Sequence, residues 1–238
     1  MLENRQTLVM QTLNEGAKLA FGTLTLTLCL ESCSIETVKN VWKQPKGTEL
    51  YYAGVFLNIF NHIVVGIPLY TFAVIFFCSP ADTEIKYSEF ILEVIWVICI
   101  HSLLYYRVHK AFHESPQLFQ SFHKFHHRYN TYVPPSSANA VSVGEYVVAY
   151  LIPFLVATAL RRTQAASLST AVCVVSVMNL LVHTPRLEKL YLGNRLVVTT
   201  QNHMNHHRKL NCHYASPTFN IDYMVQKVSS RLKRWHHS

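Results

Sequence analysis

Eight histidines gathered in three short runs constrain this chain more than any other feature. His109 and His113 make an H-x-x-x-H pair, and His123, His126 and His127 make an H-x-x-H-H triplet shortly after it. His203, His206 and His207 repeat the triplet much further along. On a helix, residues three or four apart share a face, so each run can aim its imidazoles at one point. A neutral imidazole offers one lone pair to a transition metal, and about four to six donors saturate an ion, so this many rings suits two ions. Packing alone gives no reason to gather imidazoles at such spacing, whereas metal ligation requires it. The chain must therefore fold so that three separated segments meet.

Half of the 238 residues are hydrophobic and only 14% are charged, against about 25% charged in ordinary soluble domains. That shortfall points to a membrane. The expected fold is all-α: an integral membrane bundle of about four transmembrane helices, two of them a hairpin, under a histidine-rich helical cap. Residues 1–238 are expected to form a single membrane-embedded unit whose motif-bearing core covers about 100–225. The formal charge of +8 does not argue for nucleic acid, because the basic residues flank apolar segments as they do at a membrane surface. Six cysteines are scattered without C-x-x-C spacing, so neither disulfides nor a zinc ribbon is expected.

Taken in order, residues 1–18 are mixed and polar, and no cleaved signal peptide is expected. The apolar run from Leu19 to Leu30 is short for a span and is read as interfacial or as a brief first crossing. Tyr51 to Cys78 is long enough to cross a bilayer, with His62 and Gly66 inside it and a kink expected at Pro68. His62 is read as an interior hydrogen-bonded residue. A short loop carrying Asp82 and Glu84 leads to a second span, Phe90 to Tyr106, which runs into the first histidine pair. His101, two turns before His109, fits either the path to the site or a packed polar role. Pro134-Pro135 closes the helix expected to carry the first triplet. The apolar runs Tyr146 to Leu160, bent at Pro153, and Ala165 to Leu181 make a helical hairpin that ends at His183. A hairpin returns the chain to the side it left, which is the condition for the second triplet to join the first.

Thirteen of the 21 lysines and arginines lie in residues 107–130 and 186–238, with three more in 32–50, so those segments are assigned to the cytosolic side. Arg161 and Arg162, at the hairpin tip, run against the rule and raise the question of whether the hairpin crosses fully. His236 and His237 lack helical pairing and are read as a solvated tail.

These residues resemble the fatty acid hydroxylase superfamily, also called the sterol desaturase family, of membrane-bound di-iron oxygenases. The pieces stand in family order: H-K-A-F-H, then H-K-F-H-H-R-Y, Gly144-Glu145 opening a hairpin, His183, H-M-N-H-H, Tyr214-Ala215-Ser216 and Asp222. The pattern is similar to sterol C4-methyl oxidases, cholesterol 25-hydroxylase and sphingoid-base hydroxylases alike. The resemblance implies a helical enzyme of the endoplasmic reticulum membrane, with its histidines on the cytosolic side. It further implies two iron ions held by His109, His113, His123, His126, His127, His203, His206 and His207, with His183 as a ninth ligand. Glu145 and Asp222 match acidic positions that could orient imidazoles. Two departures bear on substrate: His213 stands where the sterol C4-methyl oxidase pattern has asparagine, and Ile221-Asp222 replaces a tryptophan-aspartate pair.

The implied reaction is O2-dependent hydroxylation or desaturation of a C–H bond in a membrane lipid, such as a sterol, a sphingoid base or a fatty acyl chain. No G-x-G-x-x-G fingerprint marks a nicotinamide or flavin site, so electrons are expected from outside; the resemblance implies cytochrome b5 and its NAD(P)H-dependent reductase. Imidazole also suits zinc, copper and nickel. A zinc-dependent membrane hydrolase is therefore one alternative, although no H-E-x-x-H motif occurs, and a histidine-rich metal transporter is another.

Overall fold

The computed structural model describes residues 2–79, 86–189 and 195–235. Among them the chain is helical, with two isolated bridges and no strands. α1 (Leu2–Cys33) bends sharply into α2 (Ile35–Trp42). Next come α3 (Gly47–Phe77), α4 (Tyr87–Glu114), a short α5 (residues 116–123), the hairpin α6 (Val143–Leu160) and α7 (Ala165–Val182), then α8 (Thr200–Lys209) and α9 (Ile221–Trp235).

α3, α4, α6 and α7 are long and apolar enough to cross a bilayer, as their sequence implied. The hairpin helices have 18 residues each, about 27 Å at 1.5 Å per residue, which nearly matches a ~30 Å hydrocarbon core. Arg161 and Arg162 cap the tip of a full-length hairpin. Phe56, Phe72, Phe76, Leu92, Ile95 and Leu103 point outward, a distribution suited to lipid contact. α1 is much longer than its apolar run: its threonines return their hydroxyls to backbone carbonyls one turn back, Thr23 to Leu19 at 2.9 Å and Thr27 to Thr23 at 2.8 Å. That local pairing lets a threonine-rich segment remain helical against an apolar neighbour.

Both expected bends take a specific form. Proline lacks an N–H and displaces the carbonyl four residues back, so an unbroken α-helical ladder cannot pass through it. Upstream of Pro68 the helix widens into a π turn at Asn61–Gly66, and upstream of Pro153 into another at Tyr146–Leu151. α4 holds no proline and runs 28 residues without interruption.

Packing fixes which ends meet. α4 lies against α6 and α7, while α1, α3, α6 and α7 touch in sequence around a ring. Tyr70, Ala73, Val97, Phe154, Leu168 and Ala171 form the shared core. At the end away from the histidines, the Ser79 N–H donates to the Thr163 carbonyl at 2.9 Å and the Gln164 N–H to Glu93 Oε2 at 2.9 Å. At the other end, Glu31 accepts from the Tyr51 hydroxyl at 2.7 Å and from the Ser136 N–H at 3.3 Å, and Asn58 donates to the Ser136 carbonyl at 3.0 Å. These bonds join α1 and α3 to the 3-10 turn Pro135–Asn139, part of the cap over the bundle.

Tyr129 fastens the same cap: its hydroxyl donates to the Leu50 carbonyl at 2.7 Å. A Cβ on Gly54 would collide with that hydroxyl. Gly54→Ala is expected to lower stability by roughly 1–3 kcal/mol through overpacking, read as a lower unfolding temperature in detergent, with Gly22→Ala, where a Cβ meets open space, as the unaffected comparison.

Candidate metal centre

The three histidine runs and His183 meet at one end of the bundle. His109 and His113 sit on the last turns of α4, and His203, His206 and His207 on α8, both helical as expected. The first triplet differs: His123 ends a π turn, Phe119–His123, and His126 and His127 lie on a 3-10 turn, His126–Arg128. Uneven winding there replaces the regular helix that the spacing suggested. Ser142 anchors the segment, donating from its hydroxyl to the Phe122 carbonyl at 2.8 Å while accepting from the Glu145 N–H at 3.1 Å as the N-cap of α6. Gly144 lets the Phe122 ring lie against that helix start, since a Cβ there would come within 2.6 Å of it.

The nine rings divide into two groups, each with ligand atoms within 4.8 Å of one another: His109, His113, His123, His127 and His206 in one, His126, His183, His203 and His207 in the other. Each triplet is shared. Its first and last histidines serve one group and its middle histidine crosses to the other, because the third step along a turn points well away from the fourth. The groups adjoin, with His127 and His207 ring centroids 4.9 Å apart. Eight of the nine residues are buried and His113 is half-buried.

Outer hydrogen bonds decide where the protons are. His109 Nδ1 faces the Tyr214 carbonyl at 3.0 Å, His183 Nδ1 the Asn179 carbonyl at 2.7 Å, His206 Nδ1 the Cys212 carbonyl at 2.8 Å and His207 Nδ1 the Tyr129 carbonyl at 2.9 Å. A carbonyl only accepts, so each Nδ1 carries the proton and each Nε2 presents a lone pair. Glu145 Oε1 does the same for His123 at 2.7 Å. Yet His109 Nε2 and His123 Nε2 are 3.0 Å apart, and His207 Nε2 and His183 Nε2 3.3 Å. Two lone pairs at that range repel unless a cation lies between them. His206 Nε2 is buried with no hydrogen-bond partner among the described residues. The arrangement fits metal ions, for which outer partners of this kind set the tautomer of each ligating ring.

Burial, reinforced by neighbouring imidazoles, holds His123, His126, His203, His206 and His207 far below the usual histidine range. Burial takes His183 down to about 4. Neutral rings are the form a metal requires.

Of the two acidic candidates, Glu145 touches an imidazole directly. Asp222 does not: its Oδ2 accepts from the Ala215 N–H at 2.7 Å and so shapes the loop that supplies the Cys212 and Tyr214 carbonyls. His213 in that loop has φ 59, in the left-handed region where asparagine, aspartate and histidine are found more often than other non-glycine residues. His62 makes the interior bond expected of it, to the Asn58 carbonyl at 2.8 Å. His101 packs at a tilt on Phe154, ring centroids 4.3 Å apart, and stays outside both groups. His236 and His237, like Asp82 and Glu84, lie outside the described residues. The six cysteines are free thiols, as expected. The orienting carbonyls were not legible beforehand, since any residue type can supply one.

The fatty acid hydroxylase model matches residues 94–227, a stretch that contains all nine rings. The chain belongs to the fatty acid hydroxylase family. Comparison with curated proteins and with solved structures finds no match. A fatty acid hydroxylase is an oxidoreductase of a generally metal-dependent kind, and four apolar helices suit a membrane-bound member of it.

Two outcomes follow from the outer bonds and from burial. Glu145→Gln is expected to weaken metal binding by about 10–100-fold, measured as metal retained through chelator dialysis. In metal-free protein the buried rings bind fewer protons than the unfolded chain below its histidine value of about 6.5, so stability rises with pH. Thermal unfolding should show full stability above that value and a progressive loss as the pH falls from it towards 4.

Proposed function

We propose that this fatty acid hydroxylase is an O2-dependent di-iron enzyme that hydroxylates or desaturates a C–H bond of a membrane lipid. The observation that carries the reading is the pair of adjoining all-imidazole groups, one of five rings and one of four. Two irons held there would supply the redox chemistry that attack on an unactivated C–H bond demands and that side chains alone lack.

The protein's part is to hold and to shield. His109, His113, His123, His127 and His206 form one ligand set, and His126, His183, His203 and His207 the other. Glu145 and the carbonyls of Tyr129, Asn179, Cys212 and Tyr214 keep the ring protons on the outer nitrogens. The site adjoins the spanning helices, so a lipid chain reaches it from the bilayer while its head stays at the surface. Phe112, Phe119 and Phe122 pack against the histidines and each other, His113 and Phe119 tilted at 5.6 Å and Phe112 stacked on Phe122 at 5.5 Å, and exclude water from one flank.

Electrons are assigned to an external donor, cytochrome b5 with its NAD(P)H-dependent reductase. The placement is the endoplasmic reticulum membrane with the histidines facing the cytosol, supported by the basic residues of segments 107–130 and 186–238. A zinc hydrolase would need a carboxylate free to act as base, whereas Glu145 is committed to His123 Nδ1. A transporter would carry polar ligands along several spans near the midplane, and His62 and His101 make no such path.

Expression in a host membrane provides the test. His206→Ala and His126→Ala, one from each group, should abolish oxidation while membrane insertion persists, and lipid mass spectrometry should lose a species heavier by one oxygen or lighter by two hydrogens. Full turnover in either variant would contradict the assignment.

A further inference from the structure

α1, α3, α6 and α7 close a ring around a narrow cleft with a cavity volume of about 70 Å³, open along one side. Its walls are mostly apolar: Leu19, Leu69, Phe154, Leu155, Leu168 and Val172 line it, and among the described residues no Asp, Glu, Lys or Arg does. It reaches from Ala73 up to His62 and Tyr146, eleven helical positions or about 16 Å. A cleft of this polarity within a membrane-spanning bundle suits hydrocarbon rather than water.

Two polar groups sit at its upper end. His62 is 7% exposed and its Nδ1 lies 2.8 Å from the Asn58 carbonyl. The proton is therefore on Nδ1, and Nε2 presents a lone pair with no partner among the described residues. Tyr146 is 6% exposed, its ring centroid 5.7 Å from that of His62, and its hydroxyl also has no partner among the described residues. Gly66 makes room for that hydroxyl, which a Cβ there would meet at 3.1 Å. One acceptor and one donor thus face the same apolar space. Leaving such groups unsatisfied costs about 1–3 kcal/mol each.

We propose that this cleft binds an uncharged lipid carrying a free hydroxyl, which donates to His62 Nε2 and accepts from the Tyr146 hydroxyl while its hydrocarbon part fills the space down to Ala73. An alcohol satisfies both groups at once. An ether or ketone oxygen can only accept, and leaves His62 unpaired. A carboxylate or phosphate would bring a net charge to walls that hold no counter-charge. The site lies beside the histidine centre without including any of its nine rings: Tyr146, Tyr150, Tyr105 and His109 follow one another at 5.9, 5.3 and 5.1 Å, and Tyr146 directly follows Glu145, the partner of His123. It does not depend on the oxidation chemistry.

The test uses full-length protein in phosphatidylcholine vesicles and a long-chain primary alcohol bearing a photoactivatable diazirine. Crosslinking should saturate, map to peptides of α1, α3 or α7, and be displaced by the unlabelled alcohol but not by its methyl ether or by the corresponding fatty acid at neutral pH. His62→Phe and Tyr146→Phe keep an aromatic ring at each position while removing its polar group, and should each weaken labelling by about tenfold, the effect of one lost buried hydrogen bond, with metal content unchanged as the check on folding. His206→Ala should label like wild type, which separates this site from the proposed reaction. Equal displacement by the methyl ether, or undiminished labelling of both His62→Phe and Tyr146→Phe, overturns the proposal.

Discussion

Lone pairs do not pack against lone pairs, and the cap of this protein is arranged around that conflict. Its outer hydrogen bonds turn the unprotonated nitrogens of His109, His123, His183, His206 and His207 inward, where all but that of His206 crowd to within hydrogen-bonding distance of another ring without protons to share. Without a cation, such an interior is both repulsive and poorly satisfied. With one, the same crowding becomes a ligand shell. The surrounding structure follows from this demand: the turn after Tyr129, the Cys212–Tyr214 loop and the end of α7 each deliver a carbonyl to one imidazole.

The bundle beneath serves the centre through length and parity. α4 enters the cap at His109, the hairpin leaves it at Glu145 and returns to it at His183, so the ligand segments are held at the end of packed, apolar helices. The two proline-associated π turns matter for what they present. The turn at Asn61–Gly66 carries His62, and the turn at Tyr146–Leu151 begins with Tyr146. Irregular winding next to a proline thus supplies both polar groups of the intramembrane cleft. π turns commonly occur at functional positions because the extra residue re-aims a side chain.

The family, the helical membrane architecture and the ligand candidates were legible in the sequence because each rests on local pattern. Imidazole spacing, apolar runs of spanning length and the hairpin's return all survive translation into three dimensions. Where the reading departed from the structure, the cause was non-local. α1 is a full 32-residue helix because α3 and α7 give its mixed face something to pack on. Asp222 holds a loop instead of a ring because the chain turns back at residues 212–216. The first triplet abandons regular helix because Ser142 pulls Phe122 towards the start of α6.

By itself the sequence determined which residues could ligate a metal, that the chain would be helical and membrane-bound, and that its three histidine runs had to end on one side, since these depend only on composition, spacing and span count. Only the tertiary structure decided how nine rings divide into groups of five and four, which nitrogen of each carries the proton, and that His62 and Tyr146 face a common cleft. Those outcomes depend on carbonyls and side chains far apart along the chain, and they exist only once the helices have packed.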